Sequence, residues 1–501
     1  MQDATRSQRC LTILCHLTGP DLLLSLWPVI LQIARLVAAF ARERPSPAGM
    51  FEFETQLDSL LREMGRRIVE WRLNRLEPTD RRRMPKHYIW DGEYYRLRDS
   101  SPMRNLNCLF GPITLHRFCY SPLETVGRCL FPLEVQLGIT LDVATPALAD
   151  IVGRLAADMT QRQVLSVLRD RHGVYWGSGT LRKVTAGVAE TMGEHRHLAQ
   201  VEKLLEWLRQ AASQGGPRRF TLSVGRDGCM LPIVQSQKYR EGAAATVSVL
   251  NGWGRRLGTV YLGQMPESGQ LILTGDLTRL LEETLKRWEG PLPRLHYVTD
   301  CGHHPTEYFE QVLSKMVNPR KPDQLLEWEW VVDYYHACLY ITKLAEAIFG
   351  PGRESFAWAA KQRRVLKTKP GGVFRVLRSA GALLSIRGLV GSEEAYDGAY
   401  NFLRERACKM DYVTCRRRKL PIGSGITEAA CKVLFSQRFK QSGMKWTVEG
   451  GTPILMLRTI SLSRIWDNVR QNDLKSRTMP VPATPTQLPI TVDQEPRKTA
   501  A

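Results

Sequence analysis

Apolar positions along the 501-residue chain change their spacing several times, and each change marks a different kind of element. Between Phe51 and Leu76 they recur at helical intervals (Phe53, Leu57, Leu60, Leu61, Met64, Ile68, Leu73, Leu76), with Arg and Glu on the other face. This predicts an amphipathic helix. It runs into the basic stretch Arg81 to Lys86, which Pro85 marks as a loop. Gly111 to Tyr120 then reads as a short β segment between turn residues. From Thr145 to Met192 the pattern predicts short helices: Ala147 to Asp158, then Gln161 to Arg171 capped by Thr160. A third helix, capped by Ser178, carries Leu181, Val184, Val188 and Met192 after the turn His172 to Gly177. Helix, tight turn and helix, with Arg182 and Lys183 on the last, is the outline of a helix-turn-helix; an ordinary helical bundle has the same outline.

Residues 218 to 340 change character. Arg219 to Val234, Ala244 to Leu250 and Leu257 to Leu262 are rich in β-branched and apolar residues and predict three successive strands. A helix from Leu271 to Trp288, a strand from Leu295 to Thr299, a helix from Thr306 to Met316 and a strand from Glu329 follow. That order predicts an α/β layer around a mixed sheet. From His336 to about Lys419 the pattern is helical and basic, and a helix then runs from Thr427 to Phe439. The tail from Ser476 to Ala501 holds five prolines and little apolar material, which predicts disorder.

Charge changes the picture. Seventy Lys plus Arg against fifty Asp plus Glu leave +20, an excess that attracts polyanions such as nucleic acid. Eleven cysteines are scattered without a Cys-x-x-Cys pair, which fits a reducing cytoplasm. The uncharged run Leu22 to Ala34 is thirteen residues and contains Pro28, whereas a spanning helix needs about 20 apolar residues. The expectation is therefore a soluble protein without a membrane partner.

Candidate chemistry lies at the predicted strand ends, where Asp is otherwise disfavoured. Asp227 follows the strand Phe220 to Val224, Asp300 ends the strand Leu295 to Thr299, and Asp333 ends the strand Glu329 to Val332. Glu428 sits in the first turn of a helix after the glycine-rich Pro421 to Thr427. Carboxylates gathered on a rigid sheet repel one another unless hard divalent cations neutralise them, and two such ions can support in-line phosphoryl displacement. Each residue also has a bland reading. Asp227-Gly228 is a common turn pair, Glu428 suits a helix N-terminus, and Asp333 with His336 could join a strand to a helix. Cys301-Gly302-His303-His304 suggests zinc only weakly, because no second Cys or His pair matches it.

Together these residues resemble the DDE transposases of bacterial insertion sequences, in particular the Kra-type family related to the Mutator-like group. The matching segments are RDG at Arg226 to Gly228, VTDCGHH at Val298 to His304 and DYYHA at Asp333 to Ala337. The fourth and longest is IGSGITEAACKVLFSQRFKQSGMKW at Ile422 to Trp446. The resemblance extends from about Phe110 to Asp467. It implies a ribonuclease H-like catalytic core, whose strand order the predicted elements share, interrupted by a helical insertion and preceded by a mainly α helix-turn-helix DNA-binding region.

It further implies a catalytic and metal-holding triad of Asp227, Asp300 and Glu428 with two Mg²⁺ or Mn²⁺ ions. Asp333 and His336 match a supporting Cys/Asp-x-x-His element. From the residues alone Asp333 also satisfies the place of the second carboxylate. The implied activity is binding of terminal inverted repeats, then strand cleavage and transfer into target DNA, by a homodimer or higher oligomer in a bacterial cytoplasm. A DNA-binding regulator without catalysis and a ribonuclease H-like nuclease are the alternatives.

Residues 401 to 450 hold eleven Lys or Arg against four acidic residues. Arg416, Arg417, Arg418, Lys432, Arg438 and Lys440, expected around Glu428, are phosphate-contact candidates with Arg182 and Lys183; Trp446 is a candidate for base stacking, with core packing the competing role. The expected segments are an extension (1–45), a helix and β-hairpin region (46–144) and a helix-turn-helix region (145–215). The core's first part (216–340), the insertion (341–419), the glutamate-bearing helices (420–475) and the tail (476–501) follow.

Overall fold

The computed structural model describes residues 20–483 apart from 125–126, 142 and 235–238. The chain forms two compact units. One holds the described residues up to Thr191 together with those from Arg470 onward, and the other is Met192–Val469.

In the first unit the helices Pro20–Phe40 and Pro47–Leu73 pack side by side, with Phe40 stacked on Phe53 at 4.5 Å. The first of them is the one helix among the described residues long and apolar enough to cross a membrane. It outruns the thirteen-residue run because Arg35 is accommodated within a continuous 21-residue helix. The second helix starts four residues earlier than the apolar spacing predicts, since Ser46 caps it by accepting from the Gly49 N–H.

Short strands follow. The segment from Gly111 is a strand only to Leu115, paired with Arg104–Cys108, and Tyr120–Pro122 joins a different sheet. In that second sheet Val481–Pro482 pairs with Tyr88 and Ile89. The start of the proline-rich tail is therefore an ordered edge strand, the position in a sheet that tolerates proline. Residues 1–19 of the extension and 484–501 of the tail lie outside the described residues.

The predicted helix-turn-helix segments are helices Pro146–Asp158, Gln161–His172 and Ser178–Ser213. Thr160 caps the second as expected, and Gly173 ends it in the left-handed conformation (φ 62°). The third does not stop near Met192. Apolar positions continue through Ala199, Val201, Leu204, Leu205 and Leu208, so the helix carries on into the second unit and enters its core.

That core is built on a five-stranded mixed sheet: β1 (Thr221–Pro232), β2 (Tyr239–Leu250), β3 (Arg256–Gln264), β4 (Arg294–Thr299) and β5 (Trp328–Val332). The order is β5-β4-β1-β2-β3, with β1, β2 and β3 antiparallel in turn and β4 parallel to both β1 and β5. Trp207 and the helix Leu271–Arg287 cover one face; Leu434 and Leu455, from the helices that follow residue 424, cover the other. Between β5 and residue 424 the chain forms the helices Tyr334–Phe349, Arg353–Thr368, Gly372–Arg387, Glu393–Glu405 and Tyr412–Arg417.

A glycine allows the second face to close. Gly225 on β1 lies under the helix Gly425–Cys431, and a Cβ there would stand 2.0 Å from Thr427 Oγ1, which itself bonds Thr246 Oγ1 at 2.8 Å. Gly225→Ala should therefore destabilise the protein by roughly 1–3 kcal/mol. Thr427→Ala in the same chain should recover part of that loss, because the two sites share one contact. Thermal or urea unfolding of the two single variants and the double variant measures this.

Candidate active site

Two register facts bring three carboxylates to one level. The last β1–β4 pair is Val224 with Tyr297, and Asp227 and Asp300 each lie three residues further along. The last β5–β4 pair is Val332 with Thr299, and Asp333 and Asp300 are the next residues on each strand. Asp227, Asp300 and Asp333 thus form a row across three adjacent parallel strands. Alternation along each strand turns all three toward the face covered by the helix Gly425–Cys431.

Asp227 is not past the end of its strand, as its sequence suggests. β1 continues to Pro232, with Asp227 opposite Ala244 and Gly228 opposite Ala243, so Asp227-Gly228 is a ladder position and not a turn. The long β1–β2 hairpin provides the pairing that outweighs the local turn preference. Arg226 points to the opposite face, where it is buried, bonds Gln270 and Thr274 at 3.0 Å and stacks on Tyr308. On that same face the Glu241 side chain lies over Gly228, so a side chain at position 228 would have to displace it.

Burial above all pushes the Asp227 carboxyl up to about 6, and the Asp300 and Glu428 carboxylates push the same way. The Gly228 N–H, donating to Asp227 at 2.7 Å, and the Cys431 thiol oppose them. Cys431 was not singled out from the sequence. The available signal was its position three residues after Glu428, which puts it one helical turn along.

Asp300 ends β4 in a tight turn. Its Oδ1 accepts from the Gly302 N–H at 2.9 Å, and Cys301 adopts a left-handed conformation at φ 62°. Glu428 is exposed in the first turn of its helix. The helix beyond it continues through a π-helical turn, Lys432–Ser436, and reaches Phe439. π-Turns inside helices recur at functional positions.

Asp333 differs from the other two. It is fully buried and its oxygens are occupied: Oδ1 accepts from the Tyr335 and His336 N–H groups, and Oδ2 accepts from the Ser424 N–H at 2.8 Å and from the Ser424 hydroxyl. It caps the helix Tyr334–Phe349 and fixes the loop leading to Glu428. The Ser424 hydroxyl also lies 2.9 Å from Glu428 Oε1, so one proton is shared between two carboxylates. Of the two candidates for second carboxylate, Asp300 therefore keeps open coordination positions and Asp333 does not. The His336 ring packs on Tyr340 and Phe402 within the helical segment; only its backbone N–H reaches Asp333.

The basic residues divide. Lys432 and Lys440 are exposed on the glutamate helix and just after it, and Lys440 Nζ lies 3.9 Å from the Cys229 sulfur, beside Asp227. Arg416, Arg417 and Arg418 are exposed but do not surround Glu428. Arg418 pairs with Glu329 at 2.8 Å, at the start of β5, and the Arg417 carbonyl accepts from Arg218, ahead of β1. They stand at the opposite end of the sheet, about 13 Å of strand away from Asp333.

Arg438 is 1% exposed and so is no surface phosphate contact; its guanidinium lies 5.1 Å from the Trp446 ring. Trp446 is a packing residue. Its ring N–H donates to the Phe439 carbonyl at 3.1 Å, and its backbone bridges to Pro232 and Val234. The spacing of basic residues after Glu428 does not reveal the π-turn, after which Arg438 points inward, whereas Trp446 takes the packing role that its sequence already offered beside stacking. In the other unit Arg182 and Lys183 are both exposed.

Among the described residues, the His, Cys, Asp and Glu group whose ligand atoms all lie within 4.8 Å of one another is His303, His304 and Glu307. The Asp227, Asp300 and Glu428 oxygens stand wider apart, as uncompensated like charges should. No protein-family model matches the chain, and no curated protein does.

Two measurements follow from this geometry. The folded Asp227 carboxyl holds its proton to about pH 6, whereas an unfolded aspartate loses it near about 4. The folded chain binds more protons in that window, so Asp227 subtracts stability as pH rises from about 4 to about 6. Asp227→Asn should melt higher than wild type near pH ~7.5, and the difference should vanish near pH ~4. A double-mutant cycle of Asp333→Asn and Ser424→Ala should give a coupling energy of roughly 0.5–3 kcal/mol, read by denaturant unfolding.

Proposed function

We propose that the chain is a DDE-type DNA transposase of a bacterial insertion sequence, with a ribonuclease H-like core and a catalytic triad of Asp227, Asp300 and Glu428. The observation that carries this reading is the row of carboxylates on parallel strands facing a helix that brings a glutamate from 128 positions after Asp300. The sheet order β5-β4-β1-β2-β3, with β2 reversed between β1 and β3, supports the ribonuclease H-like assignment.

The donor set suits hard divalent cations. It consists of carboxylate oxygens only, and Asp227 is held near a pKa of about 6 by burial and two neighbouring carboxylates, a cost that a cation relieves. Mg²⁺ or Mn²⁺ bound there supplies Lewis-acid activation of a water or 3′-hydroxyl and stabilisation of the leaving oxygen. Asp227 and Asp300 hold their side of the site rigidly through the sheet. Glu428 closes it from the helix, oriented by Ser424 and through it by Asp333. Lys432 and Lys440 are placed to meet phosphates beside this row. Arg182 and Lys183, on the helix after the Gly173 turn, serve recognition of the terminal inverted repeats. The net charge of +20 supports DNA, both element ends and target, as the partner of a dimer or larger oligomer in the cytoplasm.

Glu428→Gln tests this reading. It preserves side-chain shape but removes an anionic ligand and one charge. Mg²⁺-dependent cleavage and strand transfer on a labelled element-end duplex should fall by orders of magnitude, while duplex binding persists. Wild-type cleavage by the folded variant rejects the triad. Cleavage without any joined product would identify a nuclease instead.

A further inference from the structure

We propose that His303, His304 and Glu307 form a second metal site, of the two-histidine, one-carboxylate type, suited to Zn²⁺ and chemically separate from the three-carboxylate row. The residues occupy the first and second turns of the helix His303–Gln311. Residues at i and i+4, and at i and i+3, share a helix face, so both imidazoles can reach one carboxylate. His304 Nδ1 lies 3.6 Å and His303 Nε2 4.0 Å from Glu307 Oε2. Tetrahedral ligands at bonds of about 2.1 Å from zinc stand about 3.4 Å apart, so small side-chain rotations would close the set.

A second observation points to a ligand. The His304 side chain is 28% exposed, but its Nδ1 atom is shielded from solvent and makes no hydrogen bond, with Glu307 Oε2 3.6 Å away. An imidazole nitrogen shielded from water and left without a bond is costly, and a bound metal ion would satisfy it. His303 and Glu307 are 84% and 55% exposed, which leaves an entry path and coordination positions for water.

The ligand chemistry separates this site from the first. Imidazole nitrogens favour Zn²⁺, Ni²⁺ or Co²⁺, whereas Mg²⁺ seeks an all-oxygen shell. Cys301, part of the weak zinc pattern in the sequence, is buried and does not belong to the group of close ligand atoms. Glu307 replaces it as third ligand, one helical turn on. The site adjoins Asp300, whose Oδ1 is held by the N–H of Gly302, the residue that caps this helix. An ion bound across the first turns stiffens the peptide that sets Asp300.

The test uses the full-length protein, stripped with chelator and titrated with Co²⁺ in excess Mg²⁺ so that oxygen-only sites are filled. One equivalent should bind with visible d–d bands and without a sulfur-to-cobalt charge-transfer band. His303→Ala, His304→Ala and Glu307→Gln should each weaken binding by roughly tenfold or more. His116→Ala, an exposed histidine elsewhere, should leave it unchanged. His303 is so exposed that its replacement cannot act by unfolding the core. Absence of d–d absorption, a thiolate charge-transfer band, or unaltered titration of His303→Ala and Glu307→Gln would each overturn the proposal. These binding readouts do not depend on DNA cleavage, so their failure leaves the triad assignment untouched and the converse also holds.

Discussion

The buried carboxylate of Asp333 is the constraint on which the rest of the second unit depends. A fully buried charge is costly unless its lone pairs are satisfied, and here two helix-capping N–H groups and both polar groups of Ser424 satisfy them. That arrangement fixes three things together: the end of β5, the first turn of the helix Tyr334–Phe349, and the loop that presents Glu428. The Tyr334 N–H adds a bond to the Ile422 carbonyl, so the loop is tied to the strand end by backbone as well. Removing either partner leaves an uncompensated group inside the protein, the expensive half of the hydrogen-bond asymmetry.

The strand and helix succession was legible because each core element has one dominant period. The alternation and β-branching of Leu222, Val224, Val247, Val249, Val260 and Leu262 correspond to residues buried in the sheet. The strand-end position of Asp300 and Asp333 was likewise readable. What local pattern could not show was pairing. Asp227 sits in a ladder only because β2 extends opposite it as far as Tyr239, and no neighbour in sequence signals that partner. The same limit hid the division of labour between Asp300 and Asp333, which rests on Ser424 arriving from far along the chain. It also hid Cys431, whose thiol matters only after the helix docks.

Charge was legible in sum and not in place. Counting cations near Glu428 put six residues together, yet the structure separates Arg416 to Arg418 from Lys432 and Lys440 by the length of β5 and buries Arg438. Sequence distance is a poor guide where the chain runs the length of a strand, as it does between Lys419 and Ser424. Lys419 lies against Gly254 at one end of the sheet, and Ser424 touches Asp333 at the other.

The bond between Asp333 and Ser424 joins residues 91 positions apart, and most of the chain between them is helical. The helices between them share the buried core of the sheet, through residues such as Ile341, Leu344 and Leu403, and the Tyr412 hydroxyl bonds the Val332 carbonyl at the end of β5. The entropy of closing such a loop grows only logarithmically, at about 0.6 kcal/mol for each doubling of its length. Lengthening the exposed turns between those helices thus costs the sheet little, provided the clasp and the buried faces of the helices survive. The fold can in this way change the surface it offers beside a fixed row of carboxylates, much as a tool holder accepts different heads.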